Sequence, residues 1–72
     1  MAAHIQPVLT ILRRKEVEAR TGLSRSTIYA LISEKKFPSP IDLGGGRAVG
    51  WLDHEISAWI EQRVKATREN NV

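Results

Sequence analysis

The chain has no cysteine, and among its 72 residues only one phenylalanine, one tyrosine and two tryptophans. Without thiols no disulfide can staple the fold and no thiolate can hold a metal, a composition compatible with a reducing compartment. With so few aromatics, Trp51, Trp59, Tyr29 and Phe37 are expected to supply a large share of the buried area, apart from any one spent on a ligand. No apolar run approaches the length needed to span a bilayer, and the opening MAAHIQPVL has neither a charged leader region nor a long apolar segment. The expectation is a cytoplasmic protein with no membrane partner. At this length a single core is only marginally stabilising and leaves little room for a catalytic cleft.

Catalytic and metal-binding groups are scarce too. Asp53, His54 and Glu55 form the one cluster of suitable side chains, but three consecutive helical residues point about 100° apart and cannot converge on one ion or substrate atom. Acids in a first helical turn are sufficiently explained by the helix dipole. His4 lies in the N-terminal lead-in with no partner nearby in sequence, and no Ser, His and acid triad can be assembled. The glycine run Gly44-Gly45-Gly46 lacks the spacing, the following Lys and the following helix of a phosphate-binding loop. These absences give no catalytic residues, no metal site and no cofactor.

Charge is present and unevenly spread. Eleven Lys and Arg against eight Asp and Glu leave a net +3. Residues 1–37 hold seven cations against three acids, a balance of +4, and residues 38–72 hold four against five, a balance of −1. Such asymmetry suits a polyanionic partner in contact with the first half.

That half is built around Lys15 to Phe37, which reads as two short helices joined by a tight turn. The first, Lys15 to Thr21, sets Val17 and Thr21 on one face. Gly22 suits the left-handed residue that closes a helix, and Ser24 can cap the next through its hydroxyl. From Ser24, Ile28, Leu31 and Ile32 fall at i, i+3, i+4 and face inward. Arg25, Ser26, Tyr29, Ala30, Ser33 and Lys36 are left outside, a face of small hydroxyls, a tyrosine and cations that fits a major groove. Pro38 and Pro40 are expected to stop the second helix.

Ile41-Asp42-Leu43 and Ala48-Val49-Gly50-Trp51 then alternate across the glycines as a β-hairpin, with Arg47 beside its tip. A hairpin after a helix-turn-helix is a wing, and its cation can reach a phosphate or a minor groove. Thr10 to Arg13 reads as a short extended segment whose apolar pair covers the core, with Arg13 and Arg14 free to reach a phosphate. Asp53 is expected to cap a third helix, with Leu52 as a staple and with Ile56, Trp59, Ile60 and Val64 as its apolar stripe; from Arg63 the chain turns polar and is expected to fray.

The fold class is therefore mainly α with a small β-hairpin, a winged helix-turn-helix of three helices plus wing. Residues 1–9 are expected to be a flexible N-terminus, 10–66 the DNA-binding domain and 67–72 a flexible C-terminus.

From Leu12 to Arg63 the segments LRRKEVEARTGLSRSTIYALI, FPSPIDLGGGRAVGW and EISAWIEQR resemble the AlpA family of prophage-type regulators, small winged-helix proteins related in architecture to excisionases and to the DNA-binding domain of MerR-type activators. The resemblance implies a cytoplasmic bacterial or phage protein that binds double-stranded DNA in an operator or attachment-site region. It implies regulation of prophage genes or, alternatively, an excisionase-like architectural role beside an integrase; a protein-docking module without DNA is the third reading. Integrase, RNA polymerase and self-association on DNA are the further partners it suggests. Matched residue by residue it points to Ser24, Arg25, Ser26, Thr27 and Tyr29 on the helix and to Arg47 on the wing; the residue reading adds Ser33, Lys36, Arg14 and Lys15. Ala30 stands where a basic side chain is common in similar sequences, Lys35 where glycine is common, and the wing carries an extra glycine.

Overall fold

The computed structural model describes residues 8–70. The sequence readings that fall on residues 1–7 and 71–72, His4 among them, lie outside the described residues. Along the chain run β1 (Ile11–Leu12), α1 (Arg14–Thr21), α2 (Arg25–Ser33), β2 (Ile41–Asp42), β3 (Val49–Leu52) and α3 (Asp53–Asn70). The result is a winged helix-turn-helix.

α1 starts one residue earlier than the sequence suggests. Arg13 is its N-cap, and the Glu16 carboxylate accepts a hydrogen bond from the Arg13 backbone N–H at 2.8 Å, half of a capping box. At the other end Gly22 takes φ +74° and donates its N–H to Glu18 O at 2.8 Å. A left-handed residue at that point turns the chain out of the helix without a Cβ clash. Thr21 Oγ1 donates to Val17 O and accepts from Leu23 N, so the turn is closed by local bonds. Two residues later the Ser24 hydroxyl accepts from Thr27 N at 3.2 Å and α2 begins.

α2 does not run to the prolines. It stops at Ser33, because Lys35 adopts φ +62° while its N–H bonds Ile32 O at 2.9 Å and the Lys36 N–H bonds Leu31 O at 2.8 Å. This left-handed closure satisfies the last carbonyls before Pro38 is reached. The freed segment Lys36 to Pro40 then crosses over the core. Trp51 Nε1 donates to Pro38 O at 2.9 Å and Trp59 Nε1 to Lys36 O at 2.8 Å, so two indoles serve carbonyls that no secondary structure occupies.

The hairpin forms in the expected place, with Ile41 opposite Gly50 and Asp42 opposite Val49. It is braced by a third strand, since β1 pairs antiparallel with the other edge of β3, Leu12 opposite Trp51 and Ile11 opposite Leu52. The order β1-β3-β2 makes the wing a small sheet. Its inner face and the helices enclose the core: Val17, Ile28, Trp51 and Ile56 are fully buried, Leu12 and Phe37 nearly so.

α3 departs from expectation in three ways. Asp53 is its first residue and not its cap: the Asp53 N–H is spent on Thr10 O at 2.8 Å, and its carboxylate is bound by Arg20. Arg20 also donates to Ser57 Oγ at 2.9 Å, fastening α1 to the start of α3. Val64 is not in the apolar stripe; it is 42% exposed, because the core ends near Ile60 and the helix projects past it. The polar stretch from Arg63, expected to fray, is helical through Asn70. Its Arg, Lys, Ala and Glu residues are good helix formers and need no buried face to keep the conformation.

Candidate nucleic-acid interface

Arg14 and Lys15 open α1, Arg25 and Tyr29 lie one turn apart on α2, and Arg47 follows the glycines of the wing. Although more than thirty positions apart at the extremes, these five converge on one groove of about 480 Å³, together with Arg13 and Val49. The turn at Gly22 folds α2 back against α1, so that Arg25 and Tyr29 line the same groove as Arg14 and Lys15. The hairpin then returns Arg47 to the same side. Val49 sits there because it alternates with buried Trp51 along β3, so both face inward from the sheet.

Each side chain is held differently. Arg13 Nε donates to Val49 O at 3.0 Å, tying the N-cap of α1 to the wing. Arg14 pairs with Glu18 one turn on, at 2.8 Å, and is half-buried. The Arg25 guanidinium stands 5.9 Å above the Tyr29 ring, and Tyr29 meets Trp51 edge-on at 6.3 Å. Arg25 is thereby linked through one exposed ring to the centre of the core. Among the described residues Lys15, Arg25 and Arg47 form no ion pair. The groove thus presents positive charge with hydrogen-bonding capacity unspent, the condition for meeting an anion.

At the wing tip, Asp42 Oδ1 accepts from Gly44 N at 2.8 Å, Leu43 N donates to Ala48 O at 2.9 Å and Ala48 N to Gly45 O at 3.0 Å. Gly44 at φ +86° and Gly46 at φ +61° make the turn possible. Arg47 therefore leaves a hydrogen-bonded tip and not a loose loop.

The hydroxyls at the head of α2 are partly committed. Ser24 Oγ bonds Thr27 Oγ1 at 3.0 Å besides capping the helix, and lies 3.3 Å from Ser26 Oγ; all three residues are exposed. Ser33 and Lys36 are not brought into the groove. The Ser33 hydroxyl turns back on Ala30 O at 2.9 Å, while Lys36 Nζ is 3.4 Å from Glu34 and its residue lines a separate groove with Phe37 and Trp59. Val49 is absent from the sequence-derived candidates, and Arg13, read there as free to reach a phosphate, spends its Nε–H on Val49 O. Counting by twos from Trp51 would have placed Val49. Among the described residues no three His, Asp or Glu side chains are grouped to hold a metal ion, and no helix is long and apolar enough to cross a membrane.

A Gly-turned helix pair, a braced wing and a cationic groove between them define the class: a winged helix-turn-helix. The chain belongs to the family described as prophage CP4-57 regulatory protein (AlpA), whose model matches residues 10–64. It is 49% identical over 53 residues to the uncharacterized protein ORF88 of Enterobacteria phage P4, a match covering 74% of this chain and 59% of that protein. It is 39% identical over 61 residues to the DNA-binding transcriptional activator AlpA of Escherichia coli (strain K12), covering 76% of this chain and 86% of that protein. No solved structure matches it.

Proposed function

We propose that this protein is a sequence-specific double-stranded DNA-binding regulator of prophage or integrated-element genes, acting in the cytoplasm at an operator-like site and without catalysis of its own. The observation that carries this reading is the convergence of Arg13, Arg14, Lys15, Arg25 and Arg47 on one groove beside Tyr29. In this reading the N-terminal turn of α2 enters the major groove, where recognition helices touch base edges. Arg25 and Tyr29 read bases; Ser24, Ser26 and Thr27 lie beside them with hydroxyls for phosphates. Arg14 and Lys15 meet the backbone on one side of α2, and Arg47 meets it or the minor groove on the other. Family membership and the name of the E. coli relative support the same partner.

DNA footprinting across the control region of the element that encodes the chain tests the proposal. A protected site there is expected. Uniform, sequence-independent protection would replace a specific regulator with an architectural binder, and no protection would remove DNA as the partner. Reporter expression measured beside an excision assay, with integrase supplied separately, distinguishes a transcriptional role from an excisionase-like one.

A further inference from the structure

A second groove, of about 610 Å³, lies where the chain leaves α2 and crosses α3, and it shares no residue with the first. One wall is the segment from Lys35 to Pro38. The other is Glu55, Ala58, Trp59, Gln62, Arg63 and Ala66, which recur at helical spacing along a single face of α3. That stripe runs about 16 Å along the helix. The floor of the groove is aromatic and fixed. Trp59 is half-buried, its ring set edge-on against Phe37 at 4.9 Å and its Nε1–H given to Lys36 O at 2.8 Å, so the exposed part of the indole is held in one place. The rim is cationic, with Lys35, Lys36 and Arg63 against the single acid Glu55. Among the described residues Lys35 and Arg63 form no ion pair, and Lys36 Nζ is 3.4 Å from Glu34. Lys35 moreover holds φ +62°, a conformation that glycine adopts without the cost a side chain brings. The chain thus carries strain at the position that gives this rim a cation.

We propose that this groove docks an acidic peptide segment of a partner protein, one that carries a large apolar side chain among its carboxylates. The apolar side chain covers the exposed indole of Trp59 and the small Ala58 beside it, as the anchor of a binding hot spot, and the carboxylates meet Lys35, Lys36 and Arg63 on the rim. A small-molecule ligand fits less well. Such sites enclose convergent polar groups, and no polar or charged residue is buried among the described residues. A linear peptide needs only an open groove, and about 16 Å accommodates about three turns of helix or about five extended residues. The proposal does not depend on the DNA-binding reading and is compatible with it. Arg25 heads α2 whereas Lys35 and Lys36 follow its last residue, so the two grooves sit at opposite ends of a helix about 13 Å long.

Nuclear magnetic resonance of the isotope-labelled chain tests it. The Trp59 indole N–H and the backbone amides of Lys35, Lys36, Gln62 and Arg63 report this groove, and the amides of Arg14, Arg25 and Arg47 report the other. Three short synthetic peptides are the probes: one of Asp and Glu around a Leu and a Phe, one with its acids replaced by Asn and Gln, and one with Leu and Phe replaced by Ala. The first is expected to shift the Trp59 set, and the other two to bind about tenfold more weakly. Equal binding of all three, no shift of the Trp59 set, or shifts confined to the Arg25 groove overturns the proposal. Lys35→Gly, which relieves backbone strain and keeps the fold, should weaken the acidic peptide about threefold, and Lys35→Glu combined with Arg63→Glu about tenfold. Unchanged affinity in either overturns the proposal; should the double variant misfold, the peptide series on the native chain and Lys35→Gly still decide. The footprinted duplex is then added. Shifts of the Arg25 set alone, with the peptide still moving Trp59 on the complex, support two separate grooves, whereas a duplex that itself shifts Lys35, Lys36 and Arg63 makes this surface part of the DNA interface and overturns the peptide site. Should no duplex bind, the DNA reading fails by itself and the peptide titration of the free protein decides.

Discussion

Arg25 and Arg47 reach the same groove from different supports. Arg25 emerges from a capped helix and rests on the Tyr29 ring, which is itself set against Trp51. It is preorganised for a directional contact, and bidentate base readout by arginine depends on such geometry. Arg47 leaves the wing tip on a glycine-flanked backbone. The hydrogen bonds fix where the tip is but not the orientation of a long side chain. In the proposed function Arg25→Ala should cost about 1–3 kcal/mol at the preferred site and much less on scrambled DNA, whereas Arg47→Ala should weaken both by similar factors. Competitive binding of both variants to the two duplexes measures this. Loss of discrimination with Arg47→Ala alone would make the wing the reader. Lys35 makes a separate prediction, about stability. A non-glycine residue at φ +62° costs about 1–2 kcal/mol, partly offset because glycine is freer in the unfolded chain by about 0.4–1 kcal/mol. Lys35→Gly should therefore raise stability by about 0.5–1 kcal/mol, seen as a higher midpoint in thermal unfolding, with no loss of groove residues.

Among the elements, the two tryptophans divide labour in a way that the sequence does not resolve. Both fall on apolar stripes, and the periodicity of α3 makes Trp59 a core residue. In the structure Trp51 is fully buried, whereas Trp59 is half-buried, stacked edge-on against Phe37 at 4.9 Å and bonded to Lys36 O. Trp51→Ala should cost about 3–5 kcal/mol, comparable with the whole stability of so small a domain, and leave it largely unfolded by circular dichroism. Trp59→Ala loses less burial and should remain folded, with a urea midpoint lowered by an amount corresponding to about 2 kcal/mol. Equal losses would contradict the assignment of the core. What was legible in the sequence was local. Gly22 and Ser24 mark the turn because a left-handed close and a cap are decided within four residues, and the glycines between two alternating runs mark the wing. What was not legible was relational. The third strand exists only because Ile11 and Leu12 find β3 some forty residues away. The end of α2 at Lys35 depends on a residue whose side chain argues against that conformation. Val64 continues a helical stripe beyond the point where anything remains to pack against it.

At the scale of the whole molecule, position decides which charges count. Of the cations in the first half, Arg20 is committed to Asp53 and Ser57, and Lys36 lies near Glu34 away from the groove. Arg13, Arg14, Lys15, Arg25 and Arg47 line it, with Arg14 shared with Glu18. Neither the net charge nor the imbalance between halves distinguishes these groups; only the fold does, by returning the wing to the helix pair. If the groove receives DNA, each cation that meets a phosphate displaces condensed counterions, contributing about −0.9 to the slope of log affinity against log salt. Lys15 and Arg47, the unpaired groove cations outside the base-reading set, give a slope of roughly −2 per bound copy, and engaging Arg13 and Arg14 as well raises it to roughly −3 to −4. Titration of a short duplex at several salt concentrations should fall within that range. Arg47→Ala should reduce the slope by about one unit, and so should Lys15→Ala, since each removes one phosphate contact. Lys36→Ala, outside the groove, should leave it unchanged. A flat salt response would exclude DNA as the main partner, and a slope that moved with Lys36 but not with Lys15 would place the interface on the wrong side of α2.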